Sequence, residues 1–171
     1  MRRIAAALLV SGLAAAPATG KIIVSEVSSD GAFVEVVNAG LTTEAAGIHT
    51  LRFMGGACTE LVAPVALPSV LMAPGQHLLV RQGAGEPAGD LTIVSDVQHI
   101  PGGGGAVHVV DEDTSIVQDK VAWGDQSGCG EGLPAFGFPN GMGSGESLTR
   151  LLGVTDTDFN ALDLMITQPP Q

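Results

Sequence analysis

Positive charge is scarce in this sequence, which sets seven Lys and Arg against 18 Asp and Glu in 171 residues. Two of the seven, Arg2 and Arg3, stand at the very start, and Lys21, Arg52, Arg81, Lys120 and Arg150 are scattered along the rest. Neutralising phosphate takes clustered Lys and Arg, so an acidic surface of this kind argues against nucleic acid and against anionic membranes as partners. Long apolar runs are also lacking. The only sustained one covers residues 4–16, and about 13 residues fall short of the roughly 20 that a spanning helix needs. Helical periodicity is missing as well: no stretch of ten or more residues repeats its apolar positions at helical spacing. There are only two cysteines, and they are not in a C-x-x-C pair.

What is present begins with an address. Arg2 and Arg3 precede the apolar run, and small residues at Ala16 and Ala18 supply positions that a signal peptidase reads. Residues 1–20 therefore read as a secretory signal peptide. The mature chain is expected to start near Thr19 or Lys21 and to be secreted, whether extracellular or periplasmic. About 150 residues remain, enough for one domain with its own core at 21–171. Hydrophobic residues make up 45% of the chain, too many for a disordered acidic tail.

Short bursts of strand formers recur, punctuated by 24 glycines and ten prolines, and the pattern points to an all-β domain. KIIVSEV (21–27) and AFVEVV (32–37) flank a turn containing Asp30-Gly31, a hairpin signal. IHTLRFM (48–54), QHLLVR (76–81) and residues 91–94 read as further strands. Residues 106–110 and 116–123 form a second hairpin around a polar tip at 111–115, and ESLTRLL (146–152) is a late strand. Pro64 and Pro68 demote 61–72 to an extended loop with at most one edge strand. Residues 161–165 offer one turn of helix. About eight short strands predict a β-sandwich.

Several segments, taken in order, carry a resemblance. They are IVSEV (23–27), FVEVVN (33–38), APGQHLLV (73–80), the late hairpin of 103–124, ESLTR (146–150) and DTDFN (156–160). Together they cover nearly all of the mature chain, and it resembles the bacterial extracellular branch of the lamin-tail domains. The resemblance implies an immunoglobulin-like sandwich with a binding or structural role. His49 stands where the family often has tryptophan, His77 where it often has tyrosine, and Phe159 where a polar residue is commoner.

Candidate sites are weighed one by one. Cys58 and Cys129, an even pair in an exported chain, are expected to form a disulfide, with a metal pair or a reactive thiol as alternatives. Asp156, Asp158 and Asn160 alternate, with Asp163 nearby, and this invites a calcium site. A calcium-binding hand would place glycine where Ala161 stands and an acid where Thr167 stands, so the alternative is that these side chains cap their own turn. Glu26 and Glu35 could be read as a hydrolase pair. Strict alternation puts Glu26 on a face with Ile22 and Val24 and Glu35 with Phe33 and Val37, so a structural role is expected, with Arg150 as the cation. Asn38 is expected to turn the chain after its strand.

His49, His77, His99 and His108 lack ligand spacing for zinc. Gly102–Gly105 lacks the Lys-Ser/Thr of a phosphate loop, and Ser147 lacks a nucleophile elbow. Phe136, Phe138 and Met142 are apolar residues in a glycine-rich segment at 124–145, read either as a cap on the sandwich or as a contact loop. The functional expectation is an exported, non-catalytic module that contacts protein or a surface polymer and needs no cofactor. A calcium-stabilised surface protein is the alternative, and a small hydrolase using Glu26 and Glu35 a weaker one.

Overall fold

The computed structural model describes residues 20–28, 33–83, 89–93, 104–124, 127–133, 142–143 and 145–167. Residues 1–19 of the expected leader at 1–20, residues 29–32, His99, Gly102, Gly103, Phe136 and Phe138 lie outside the described residues.

The strand-forming bursts become β1 (Ile22–Ser28), β2 (Phe33–Asn38), β3 (Glu44–Ala45), β4 (His49–Met54), β5 (Val65–Ala66) and β6 (Leu71–Met72). They continue with β7 (His77–Gln82), β8 (Leu91–Ile93), β9 (Gly105–Asp111), β10 (Ile116–Trp123), β11 (Ser147–Arg150) and β12 (Leu164–Thr167). A turn of α-helix, α1 (Asn160–Asp163), overlaps the segment expected to hold one. The six-stranded sheet runs β12-β11-β1-β2-β7-β8, the four-stranded sheet runs β10-β9-β4-β5, and β3 pairs with β6 alone. Both expected hairpin pairings form, β1 with β2 and β9 with β10, and both are antiparallel. β8 joins β7 in parallel.

The two main sheets face each other across one core, which makes an all-β sandwich. Val24, Val34, Val36 and Leu148 from the six-stranded sheet meet Leu51, Phe53, Val107, Val109, Val121 and Trp123 from the other. Fully burying side chains of this size contributes about 1.5–3 kcal/mol each before entropy is counted. Met142 is buried in the same cluster, so this residue of the glycine-rich segment packs on the core. A smaller cluster of Ala106, Ala122 and Cys129, with Met54 against it, involves alternate positions of β9 and β10 and so lies on the outer face of the four-stranded sheet.

The strand count exceeds the sequence expectation because short pairings escape a pattern search. β5 and β6 are two residues each and lie inside the stretch read as proline-broken loop. β3, also two residues, carries no alternation to detect. Among the described residues no helix is long and apolar enough to cross a membrane.

Candidate functional site

Two groups of polar side chains stand out, one on each face of the six-stranded sheet. A β-bulge creates the outer group. Between Val24 and Glu26 the register of β1 against β2 slips by one residue, so Val24 pairs with Val36 and Glu26 with Glu35. An extra residue in one strand shifts every later side chain to the other face. The expected alternation of Glu26 with Ile22 and Val24 is therefore incorrect. Glu26 turns outward and stands directly across from Glu35.

Neither carboxylate reaches Arg150, so the expected ion pair with that residue is also incorrect. Ser147 Oγ instead donates to Glu26 Oε1 at 2.5 Å. Ser25 Oγ donates to Glu35 Oε1 at 2.7 Å, and His77 Nδ1 lies 2.7 Å from the same oxygen. Thr167 Oγ1 continues the band, 2.9 Å from Ser147 Oγ and 2.6 Å from Thr149 Oγ1. Ser25 and Ser147 are buried, whereas the side chains of Glu35 and His77 are 29% and 44% exposed. The result is a row of solvent-facing acceptors held in place by buried hydroxyls across β12, β11, β1, β2 and β7. A shallow depression lined by Pro68, Val70, Gln76, His77, Leu78 and Asp90 adjoins its His77 end.

The inner group is built around Arg150, which alternation along β11 directs into the sandwich, where its side chain has no solvent exposure. β11 pairs with β1 only from Glu26 to Ser28. Earlier amides of β1 are bonded by side chains of β10, where a second bulge between Val117 and Asp119 changes the register. Ile22 N–H donates to Gln118 Oε1 at 2.9 Å, and Val24 N–H donates to Asp119 Oδ2 at 2.7 Å. Arg150 Nη2 donates to both oxygens of Asp119 at 2.7 Å, and Nε donates to the Val24 carbonyl at 2.8 Å. Its Nη1 donates to the Thr155 carbonyl at 2.9 Å and reaches Asp156 and Asp163 at 3.3 and 3.5 Å. One guanidinium thereby joins both sheets and the C-terminal loop. A fixed fork of donors suits that task better than an ammonium does.

The residues read as a calcium site divide among other partners. Asp163 accepts from Thr157 N–H at 2.9 Å and Thr157 Oγ1 at 2.7 Å, and so shapes the loop before α1. Asp156 pairs with Lys21 and Arg150, and it also accepts from Asp158 N–H at 3.4 Å. Burial opposes ionisation of Asp156, but the Lys21 hydrogen bond and the Arg150 charge hold its carboxyl below the ordinary value. Asp158 adopts a left-handed backbone at φ 56°. Asn160 is fully buried, and neither polar atom of its side chain has a hydrogen-bond partner.

A third carboxylate, from Glu131, joins Asp119 and Asp156, each offering one oxygen within 4.8 Å of the others. A spacing of this kind can be bridged by a cation, and here Arg150 and Lys21 already serve Asp119 and Asp156. Sequence reasoning missed Asp119 and Glu131 because they lie 31 and 19 positions from Arg150, on a hairpin strand and in a glycine-rich turn, with no local motif to mark them.

The cysteines form the expected bond, with Cys58 and Cys129 linked over a Cα separation of 5.3 Å and 71 positions of sequence. Asn38 does more than turn the chain. Its Nδ2 donates to the carbonyls of Thr42 and Met72 at 2.8 Å, and its Oδ1 accepts from Gly40 N–H at 3.0 Å. His49 and His108 have ordinary local roles. His49 is buried against the Ala45 carbonyl, and His108 Nε2 donates to the Cys129 carbonyl at 2.6 Å. Burial keeps the His108 imidazole below its usual pKa, against the pull of that carbonyl. The chain matches no protein-family model and no curated protein.

Proposed function

We propose that this chain is an exported, non-catalytic contact module of the lamin-tail type, with an immunoglobulin-like arrangement of its sandwich. It binds a surface polymer or an extracellular protein through the outer face of its six-stranded sheet. The observation that carries this reading is the row from Thr167 to His77, in which half-buried Glu35 is held by the Ser25 hydroxyl and by exposed His77. Carboxylates held in one geometry are suited to accepting hydrogen bonds from sugar hydroxyls or peptide donors, because little side-chain freedom remains to be lost on binding. The Cys58–Cys129 bond fits an oxidising compartment, where such bonds persist. The outward, paired placement of Glu26 and Glu35 favours contact over turnover, since both are engaged by side chains of their own sheet.

The test is direct. Immobilised mature protein is offered purified envelope polysaccharides and secreted proteins, beside a Glu26→Gln/Glu35→Gln variant of unchanged fold. Binding by the native protein and its loss in the variant is the expected result. Equal binding by both would move the contact surface elsewhere. Glycan or ester hydrolysis that disappears in the variant would replace contact with catalysis.

A further inference from the structure

Among the described residues, Glu131 is the one carboxylate of the Asp119–Glu131–Asp156 group without an ion pair. Its Oε2 is buried and has no hydrogen-bond partner, while the nearby oxygens of Asp119 and Asp156 are served by Arg150, Lys21 and backbone amides. The groups that act on it come from several elements. Asp119 lies on β10, Arg150 on β11, Asp156 and Asp158 in the loop after β11, and Lys21 just before β1 beside Asp156. Asp163 of α1 faces the same guanidinium, and His108 of β9 holds the adjoining Cys129 carbonyl. Among the described residues, two cations therefore face five carboxylates. Burial is the first cause that pushes the Glu131 carboxyl up, to about 7, followed by the charges of Asp119, Asp156 and Asp158.

The segment that carries Glu131 is docked closely. A Cβ at Gly130 would meet the Ala122 Cβ at 2.7 Å, and one at Gly132 would meet the Phe159 ring at 2.3 Å. The Asn160 N–H donates to the Glu131 carbonyl at 2.9 Å. Residues 127–133 thus lie flush against β10 and the start of α1, and they bring the Glu131 side chain into the carboxylate cluster.

We infer that Glu131 is a proton-dependent latch: protonated, it holds the 127–133 turn on the edge of the sandwich, and ionised, it loosens that turn around the disulfide. A protonated carboxyl gives the cluster a donor in place of a third charge. Once ionised, it is repelled by its neighbours and gains by moving into water. The linkage has a definite sign. The docked carboxyl holds its proton up to about 7, whereas the free one releases it near 4.5. Between those values the docked state binds more protons, so docking weakens as pH rises and then levels off above the upper value.

The Asn160 amide reports docking, because its hydrogen bond ends on the Glu131 carbonyl. Hydrogen exchange of that amide is to be followed by NMR from pH 5 to pH 8, corrected for intrinsic exchange. The expected opening constant rises by at most about tenfold per pH unit, the limit for one proton, and flattens above neutrality. In Glu131→Gln, which keeps size and polarity, the same amide should show no such slope. Equal slopes in both proteins would overturn the latch. So would a carboxyl NMR titration of Glu131 in the native protein centred at its ordinary value. Added calcium that restores protection at high pH in the native protein, but not in Glu131→Gln, would show that a metal cation and not a proton is the partner, and would also overturn it.

Discussion

The two faces of the six-stranded sheet treat carboxylates in opposite ways. Inside, Asp119, Asp156 and Asp163 converge on Arg150, and the Asp119 and Asp163 side chains have no solvent exposure. Outside, Glu26 and Glu35 stand opposite one another, held by Ser147, Ser25 and His77. A buried ion loses its hydration, so it is tolerated only where several charged and hydrogen-bonding partners replace the water. A surface carboxylate keeps its water and can exchange it for a ligand. The contrast separates groups that hold the fold from groups that remain free to act, and that separation could not be made from residue type.

The sharpest way to break the inner face is to remove its cation. Arg150→Met keeps much of the volume but leaves Asp119 and Asp163 buried without a counter-charge. We expect a loss of about 3–5 kcal/mol, the usual cost of breaking one side of a buried pair. Urea unfolding measures it. Arg150→Lys should recover only part of the loss, because an ammonium cannot donate to Asp119, Val24 O and Thr155 O together. Full recovery by lysine would reduce the network to a point charge.

Next comes the bond that ties the two loops. Cys58→Ala/Cys129→Ala releases a closed loop of 71 positions, for which the chain-entropy account gives about 4 kcal/mol. Thermal melting under non-reducing conditions checks this. The variant should also lose order in the turn at 127–133 before the core melts. If instead it melts in one step with native stability, then the His108 bond and the close packing of Gly130 and Gly132 suffice without the disulfide.

Asn38→Ala should cost less, about 2–3 kcal/mol. It leaves the Thr42 and Met72 carbonyls and the Gly40 amide without their partner, at about 1 kcal/mol each. Denaturant unfolding measures the change. Asn38→Asp restores only the acceptor for the Gly40 and Lys21 amides, so it should lie close to the alanine variant. If it matches the native protein, the amide nitrogen's two bonds are unimportant.

The same contrast explains what the sequence made legible. Both hairpins were readable, because alternation and turn chemistry are local. The cysteine pair is readable because the sequence has only these two cysteines and begins like an exported chain. Glu26 was assigned to the wrong face because a single extra residue at the bulge reverses the alternation, and no side chain announces it. Arg150 is legible as the cation of a structural ion pair, but its partners are not, since Asp119 arrives from the opposite sheet. The two-residue strands β3, β5 and β6 are pairings created by neighbours and carry no pattern of their own.

The outer face should be the cheapest to alter. Glu26→Gln/Glu35→Gln keeps shape and hydrogen-bonding capacity, and it removes two like charges that stand opposite in register. Like charges placed directly across a strand pair are unfavourable, and against this the variant loses the stronger hydrogen bonds that ionised acceptors make to Ser147, Ser25 and His77. The two effects oppose each other, so the net change in stability should stay within about 0.5 kcal/mol, as for most surface substitutions. His77→Ala sharpens the point. It removes the imidazole beside Glu35 and should likewise leave urea unfolding nearly unchanged, while any ligand that uses the His77 end of the row loses affinity. A fall in stability as large as that of Asn38→Ala from either variant would mean the row is part of the scaffold. The distinction between the two faces would then fail. Unchanged stability with lost binding would place the inner carboxylates in structure and the outer ones in contact.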